Sequence, residues 1–162
     1  QTYTNDAIDE LQQFLDLYPT TQLKGQTQDM IYILQDKLVE KEYLAAKMYY
    51  DLGTYRGNST YGGSNYDACI VTAQNALKDF PFATAARREE LSIMILRARY
   101  HLAVQSVVEK RIERFRNVID EFYAFENDYP ESKYMAEARK IFERSEQIVK
   151  KKKLNLIEEE LF

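Results

Sequence analysis

The sequence predicts an all-α protein. The chain of 162 residues contains only 5 glycines and 3 prolines, and so few breakers favour long helices with short connections. Apolar residues recur at steps of three and four, which is typical of one face of a helix. No segment shows the sustained alternation of apolar and polar residues that a half-buried strand requires. A chain of this length is ordinarily a single domain that buries roughly 70% of its unfolded surface.

The composition narrows the function classes. Hydrophobic residues make up 45% and charged residues 30%, a balance typical of soluble globular proteins. The net charge of −4 lacks the basic footprint of a nucleic-acid binder, so no nucleic-acid partner is expected. Cys69 is the only cysteine and allows neither an internal disulfide nor a cysteine-based zinc site. No window of 18 apolar residues predicts a membrane span, and the first residues lack the features of a signal peptide.

The first two helices follow from apolar spacing. The first is predicted from about Asn5 to Tyr18, where Pro19 ends it because the residue before a proline avoids the α region. The second is predicted from about Thr27 to Gly53, with Gly53 as its C-terminal stop. Its tyrosines add a second packing side to the apolar stripe, so it should contact neighbours on two faces.

A loop and a third helix follow. The stretch RGNSTYGGSN, residues 56–65, holds three of the five glycines and reads as an inserted loop. Ser64 or Asn65 can cap the next helix, which continues to Phe80 and stops at Pro81.

Three further helices and a tail complete the chain. The fourth helix is predicted from about Thr84 to Ala103, and the fifth begins between Gln105 and Arg111 and ends before Pro130. The sixth opens at Glu131 and Ser132. The domain boundaries are therefore residues 1–149 for a helical domain and residues 150–162 for a charged tail, KKKKLNLIEEELF in one-letter code.

Each proline closes a helix in a pattern typical of tetratricopeptide repeats, in which pairs of antiparallel helices stack. Gly53 fits the Leu-Gly position of the first helix of a pair, and Cys69, Ala73 and Ala76 fit the small positions of the second helix. Small residues allow close approach of helices. The prolines lie 62 and 49 residues apart rather than about 34, so the repeats are irregular. The residues that define the repeats are Pro19, Gly53, Cys69, Ala73, Ala76, Pro81 and Pro130.

Three stretches carry a narrower resemblance: YYDLGTY at Tyr49–Tyr55, YDACIVTAQNALKDFP at Tyr66–Pro81, and YPESKYMAEAR at Tyr129–Arg139. With them, nearly the whole chain resembles the BamD (ComL or YfiO) family. It corresponds to the later part of the family's five-repeat tetratricopeptide superhelix. The chain departs from the family in its 56–65 insertion and in its tail, and neither the first repeats nor the lipid-bearing cysteine is present in it.

The resemblance implies a non-enzymatic scaffold at the periplasmic face of the outer membrane. Such a protein is tethered by an N-terminal lipid, binds the barrel subunit BamA and supports the insertion of outer-membrane proteins, which it meets unfolded. The open alternatives are another periplasmic tetratricopeptide adaptor that captures peptides, and an all-α enzyme. Neither catalytic residues nor a cofactor nor a metal is predicted, because no metal-binding, phosphate-binding or nucleophile motif occurs.

The preferred contact candidates lie in and beside the inserted loop. They are Tyr55, Arg56, Tyr61 and Tyr66, because tyrosine and arginine are favoured at protein interfaces. Two alternatives stay open: the basic run Lys150–Lys153 meets an anionic partner or complements its own helix dipole, and His101 is a pH-responsive contact or a half-buried packing residue. Cys69 is interpreted as a packing residue rather than a nucleophile.

Overall fold

The computed structural model describes residues 2–55 and 64–160, with residues 152–160 as backbone only. Within these residues all regular structure is α-helical, which confirms the predicted all-α class. The helices are α1 (Thr2–Leu17), α2 (Lys24–Leu52), α3 (Asn65–Asp79), α4 (Ala85–Val104), α5 (Val108–Asp128) and α6 (Met135–Glu160).

The helices pack in chain order. Each described helix contacts the next one along the chain, and α4 also contacts α2 and α6. Among the described helices, α1, α3 and α5 do not contact one another. The even-numbered helices therefore form one connected layer, and the odd-numbered helices lie against that layer separately.

Local chemistry explains where α3 and α4 begin. Ser64 precedes α3, and its side chain accepts a hydrogen bond from the Tyr66 amide at 3.2 Å. Thr84 does the same for α4 by accepting from the Arg87 amide at 3.3 Å. Each cap satisfies a donor that the first turn of a helix leaves without an intrahelical partner.

The predicted start of α6 at Glu131 and Ser132 is wrong by about one turn. Ser132 forms a turn instead: its hydroxyl oxygen accepts from the Tyr134 amide at 3.0 Å, and its own amide donates to the Tyr129 carbonyl at 3.0 Å. The helix begins only at Met135. At its other end α6 runs on as far as Glu160, so its backbone includes most of the sequence described above as a tail.

Two apolar clusters lie on opposite sides of α4. The first joins α2, α3 and α4, and its small residues Ala46, Ala73 and Ala98 are completely buried, so these helices approach closely. The second joins α4, α5 and α6 around Phe115 and Phe122. Because α4 contributes buried residues to both clusters, it is apolar around most of its circumference and lies at the centre of the protein.

Helix α2 is much longer than its neighbours and is staggered between them. It has 29 residues, whereas α1 has 16 and α3 has 15. Successive residues are 100° apart around a helix, which places buried Ile31 and Leu38 on one stripe and buried Val39 and Ala46 about 80° away. The connection of residues 18–23 places α1 antiparallel to the first half of α2. Ala46 belongs to the cluster that the second half of α2 shares with α3 and α4.

Candidate protein-binding surfaces

The end of α2 is joined tightly to the start of α3. The Asn65 side chain donates hydrogen bonds to the carbonyl of Tyr55 at 2.9 Å and to that of Gly53 at 3.3 Å. Gly53 has φ +42° and ψ −104°, a conformation that side-chain-bearing residues rarely adopt. The two ends of the insertion are therefore held together by hydrogen bonds.

Of the four contact candidates, the structure describes two, and these two differ in exposure. Tyr55 is 70% exposed and free to meet a partner, whereas Tyr66 is 8% exposed and packs in the first cluster. The assignment of Tyr66 as a contact surface therefore needs correction: the first turn of α3 faces the core, so this ring is a packing residue. Arg56 and Tyr61 lie outside the described residues, so their predicted roles stay predictions.

His101 lies among aromatic rings. Its imidazole stacks on the Tyr66 ring with centroids 5.1 Å apart, and it meets Tyr50 and Tyr100 edge-on at 5.9 and 5.8 Å. Burial lowers the pKa of His101 below its usual value, because desolvation disfavours the charged imidazolium. At neutral pH this side chain is therefore a neutral packing group.

The small residues of the repeat pattern lie inside the protein. Cys69, Ala73 and Ala76 are all buried on the side of α3 that packs in the first cluster. Burial raises the pKa of the Cys69 thiol to about 12, because the thiolate would lose its hydration. The thiolate is the reactive form, so the position favours packing over nucleophilic chemistry.

We expect Cys69 to resist alkylation in the folded protein. At pH 8, iodoacetamide should modify the native chain on the order of 100-fold more slowly than the chain unfolded in guanidinium chloride. Mass spectrometry measures both rates, with N-acetylcysteine in the same tube as an internal reference. Equal rates in the two states would contradict the buried position.

An exposed apolar stripe runs along the second half of α2. Leu44 and Met48 are 53% and 51% exposed, and Leu52 follows one turn later. The spacing of four residues places all three on one face, and exposed Tyr55 comes directly after the helix. We call these four residues the α2 stripe. The same face is exposed in the first half of α2 as well, where Met30 and Ile33 are 53% and 58% exposed, so no described helix covers it there either.

The stripe was not found from the sequence, where Met48 and Leu52 are interpreted as part of the apolar face with which the second helix contacts its neighbours. A helix that packs on different neighbours in its two halves breaks the rule that one apolar periodicity marks one buried face. The sequence signal is the four-residue spacing of Leu44, Met48 and Leu52, and a buried helix face shows the same spacing.

A groove lies at the other end of α2, where its first half extends past the turn between α3 and α4. The groove has a volume of about 560 Å³. Tyr32 and Ile33 line one wall, and Phe82 lines the other, with Asp36 and Lys37 as charged residues in the lining. It is thus an open, largely apolar cleft next to one of the three prolines.

Charged contacts tie the even-numbered helices together. Arg87 of α4 pairs with Glu40 of α2 and lies over the Tyr43 ring at 4.0 Å. Arg97, also of α4, forms a two-pronged pair with Glu137 of α6, with Nε to Oε1 at 2.7 Å. This pairing lowers the pKa of Glu137, since the guanidinium favours the carboxylate form.

Among the described side chains, no group of three or more metal-ligating residues occurs. None of the buried nitrogen or oxygen atoms in those side chains lacks a hydrogen-bond partner. No helix in the described part of the chain has the length and apolarity needed to cross a membrane.

The fold and these surfaces define an all-helical protein with exposed apolar faces. Comparison of the sequence with protein-family models and with curated proteins finds no match. The features that bear on function are therefore those of the chain itself.

Proposed function

We propose that this chain is a non-enzymatic scaffold whose stacked helices form a tetratricopeptide-like superhelix. The alternating contact pattern supports this architecture, since α2, α4 and α6 touch in sequence while α1, α3 and α5 do not. In repeat proteins each unit contacts only its neighbours and presents an extended surface to partners.

The observation that carries the proposal is the α2 stripe. It places the side chains of Leu44, Met48 and Leu52 in solvent on one face of a helix, with exposed Tyr55 directly after it. Contiguous exposed apolar surface of this kind marks interaction sites in soluble proteins. Methionine and tyrosine are also residue types that interfaces favour.

We propose in addition that the scaffold works in the manner of the BamD family. Its partner would be a BamA-type barrel protein at the periplasmic face of the outer membrane, and the complex would support the insertion of unfolded outer-membrane proteins. The quoted stretches at Tyr49–Tyr55, Tyr66–Pro81 and Tyr129–Arg139 support this narrower assignment. A lipid anchor on the full-length protein would provide the membrane attachment.

A second candidate function is that of a periplasmic adaptor that captures peptides. The groove lined by Tyr32, Ile33 and Phe82 favours it, because an apolar cleft of about 560 Å³ accepts one or two bulky side chains of an extended segment. The two candidates use different surfaces of α2, so surface variants distinguish them.

Affinity capture from detergent-solubilised native membranes tests the proposed function. We expect the tagged chain to recover a BamA-type barrel protein, and the double variant Leu44→Ser, Met48→Ser to recover about tenfold less. The reason is that truncation of each anchoring side chain of an interface lowers the binding free energy by about 1 kcal/mol or more. Quantitative mass spectrometry of the captured proteins is the measurement.

The matched control is Val71→Ser, which removes an equally exposed apolar side chain from α3. It should leave recovery unchanged. A third variant replaces residues 56–63 with a short turn but keeps Ser64 and Asn65, which form the cap and the hydrogen bonds to Gly53 and Tyr55. If only this variant loses capture, the partner binds the loop rather than the α2 stripe. Absence of any barrel protein from the wild-type capture would refute the assignment.

A further inference from the structure

Two arginines converge on one serine at the turn between α4 and α5. The Arg111 side chain donates from Nε and Nη2 to the Ser106 carbonyl, at 3.2 and 2.9 Å. The Arg114 side chain donates from Nη1 to the Ser106 hydroxyl at 2.7 Å. Ser106 is buried, and its hydroxyl in turn donates to the Leu102 carbonyl at 2.6 Å. The two guanidinium groups are thus held in neighbouring, defined positions.

No carboxylate forms an ion pair with either arginine in the described part of the chain. Arg87, Arg97 and Arg99 each pair with a glutamate, but neither Arg111 nor Arg114 forms such a pair there. Their own helix supplies none either, because the residues three and four positions away from each of them include no Asp or Glu.

The C-terminal end of α4 offsets only part of this charge. Its exposed carbonyls are equivalent to about half a negative charge, which stabilises one nearby cation. Two full positive charges on the same few atoms leave an excess. Each guanidinium has five N–H donors, and the contacts to Ser106 use two of those of Arg111 and one of those of Arg114.

Exposed valines lie close to the pair along the chain. Val107 and Val108 are 61% and 60% exposed, and Val104 at the end of α4 is exposed as well. Protein interfaces combine arginine with apolar groups, and this turn has the same combination in its arginine pair and three exposed valines. A strongly hydrated ion such as free phosphate gains nothing from such a rim.

We propose that the Ser106–Arg111–Arg114 turn is a binding site for a carboxylate of a partner polypeptide. The carboxylate would be an Asp or Glu side chain with an apolar neighbour. The guanidinium fork binds both oxygens of a carboxylate at once, and the valines cover the adjacent apolar side chain. This site lies on the turn between α4 and α5 and does not depend on the α2 stripe.

Nuclear magnetic resonance of the full chain tests the site through the Nε–Hε signals of its arginines. The probe is a capped peptide of sequence Leu-Glu-Leu-Glu, and the control is Leu-Gln-Leu-Gln. We expect the acidic peptide to shift the Arg111 and Arg114 signals in a saturable way and the glutamine peptide to leave them in place. Binding should weaken as NaCl is raised, since salt screens exposed charges.

Variants make the test specific. Arg114→Gln and Arg111→Gln should each weaken binding of the acidic peptide about tenfold, the usual effect of losing a charged hydrogen bond. Arg116→Gln removes an exposed positive charge about 200° around the same helix from Arg114 and should change the affinity less than twofold. Thermal unfolding of each variant establishes that it is folded.

Three outcomes overturn the proposal. The glutamine peptide binds as tightly as the acidic one, or Arg116→Gln weakens binding as much as Arg114→Gln does. Alternatively, inorganic phosphate shifts the arginine signals at lower concentration than the acidic peptide, which would make the site one for phosphate groups rather than for carboxylates.

Discussion

Replacing Gly53 with alanine should lower the free energy of unfolding by about 2–4 kcal/mol. Two causes act together. The backbone at φ +42° is strained for any residue with a side chain, and the added Cβ would lie 2.6 Å from the hydroxyl oxygen of Tyr66 and 3.2 Å from the carbonyl oxygen of Tyr50. Tyr66 is buried and the carbonyl is backbone, so neither can move aside easily. Urea unfolding followed by circular dichroism measures the loss.

Gly25 provides a matched control, because it lies in the first turn of α2 and a Cβ there would meet nothing within 4 Å. Gly25→Ala should leave stability unchanged or raise it by about 0.5–1 kcal/mol through helix propensity. Adding Tyr66→Phe to Gly53→Ala helps to separate the two causes, because removal of the hydroxyl relieves the closest steric contact and leaves the backbone conformation as it is. Equal stability of Gly53→Ala and Gly25→Ala would contradict the strained conformation.

Truncating Phe115 to alanine should cost about 3–5 kcal/mol, the usual range for a buried phenylalanine. Its ring is almost completely buried in the second cluster and meets the Tyr100 ring edge-on, with centroids 6.1 Å apart. The cavity would open between α4 and α5, and loss of packing there weakens the attachment of both. The measurement is again urea unfolding, with the signal of the tyrosines as a second probe.

The comparison for Phe115 is Phe82→Ala, the same chemical change at a half-exposed position in the turn after α3. It should cost about 1 kcal/mol or less, because solvent replaces most of the lost contacts. A loss at Phe82 as large as that at Phe115 would mean that the groove beside α2 is closed in solution.

The helices could be predicted from the sequence because their signals are local. Pro19, Pro81 and Pro130 all lie in turns or bends between helices, as the restriction on the residue before proline requires. Ser64 caps α3 and Gly53 follows α2 in a conformation that favours glycine, also as predicted. The predicted start of α6 was wrong because Ser132, which resembles an N-cap, forms a separate turn before Met135.

The surfaces could not be predicted, because they depend on which helix covers which. Tyr66 and Tyr55 flank the same loop and have the same chemistry, yet one faces the first cluster and the other faces solvent. Met48 and Leu52 follow the apolar periodicity of the second helix, yet both are exposed because no described helix packs on their face. The pairing of Arg111 and Arg114 with Ser106 depends likewise on the geometry of a turn.

Because α2 packs on different helices in its two halves, the protein should tolerate few insertions or deletions within this helix. One unbroken helix sets the angle between the stripe that holds α1 and the stripe that holds α3 and α4. A single residue inserted between its halves would rotate one stripe by 100° relative to the other. The α1 end would then turn out of line with the rest of the protein, although every individual contact residue remained. Insertions in the connections between helices leave this angle unchanged, so they should be tolerated better than insertions within α2.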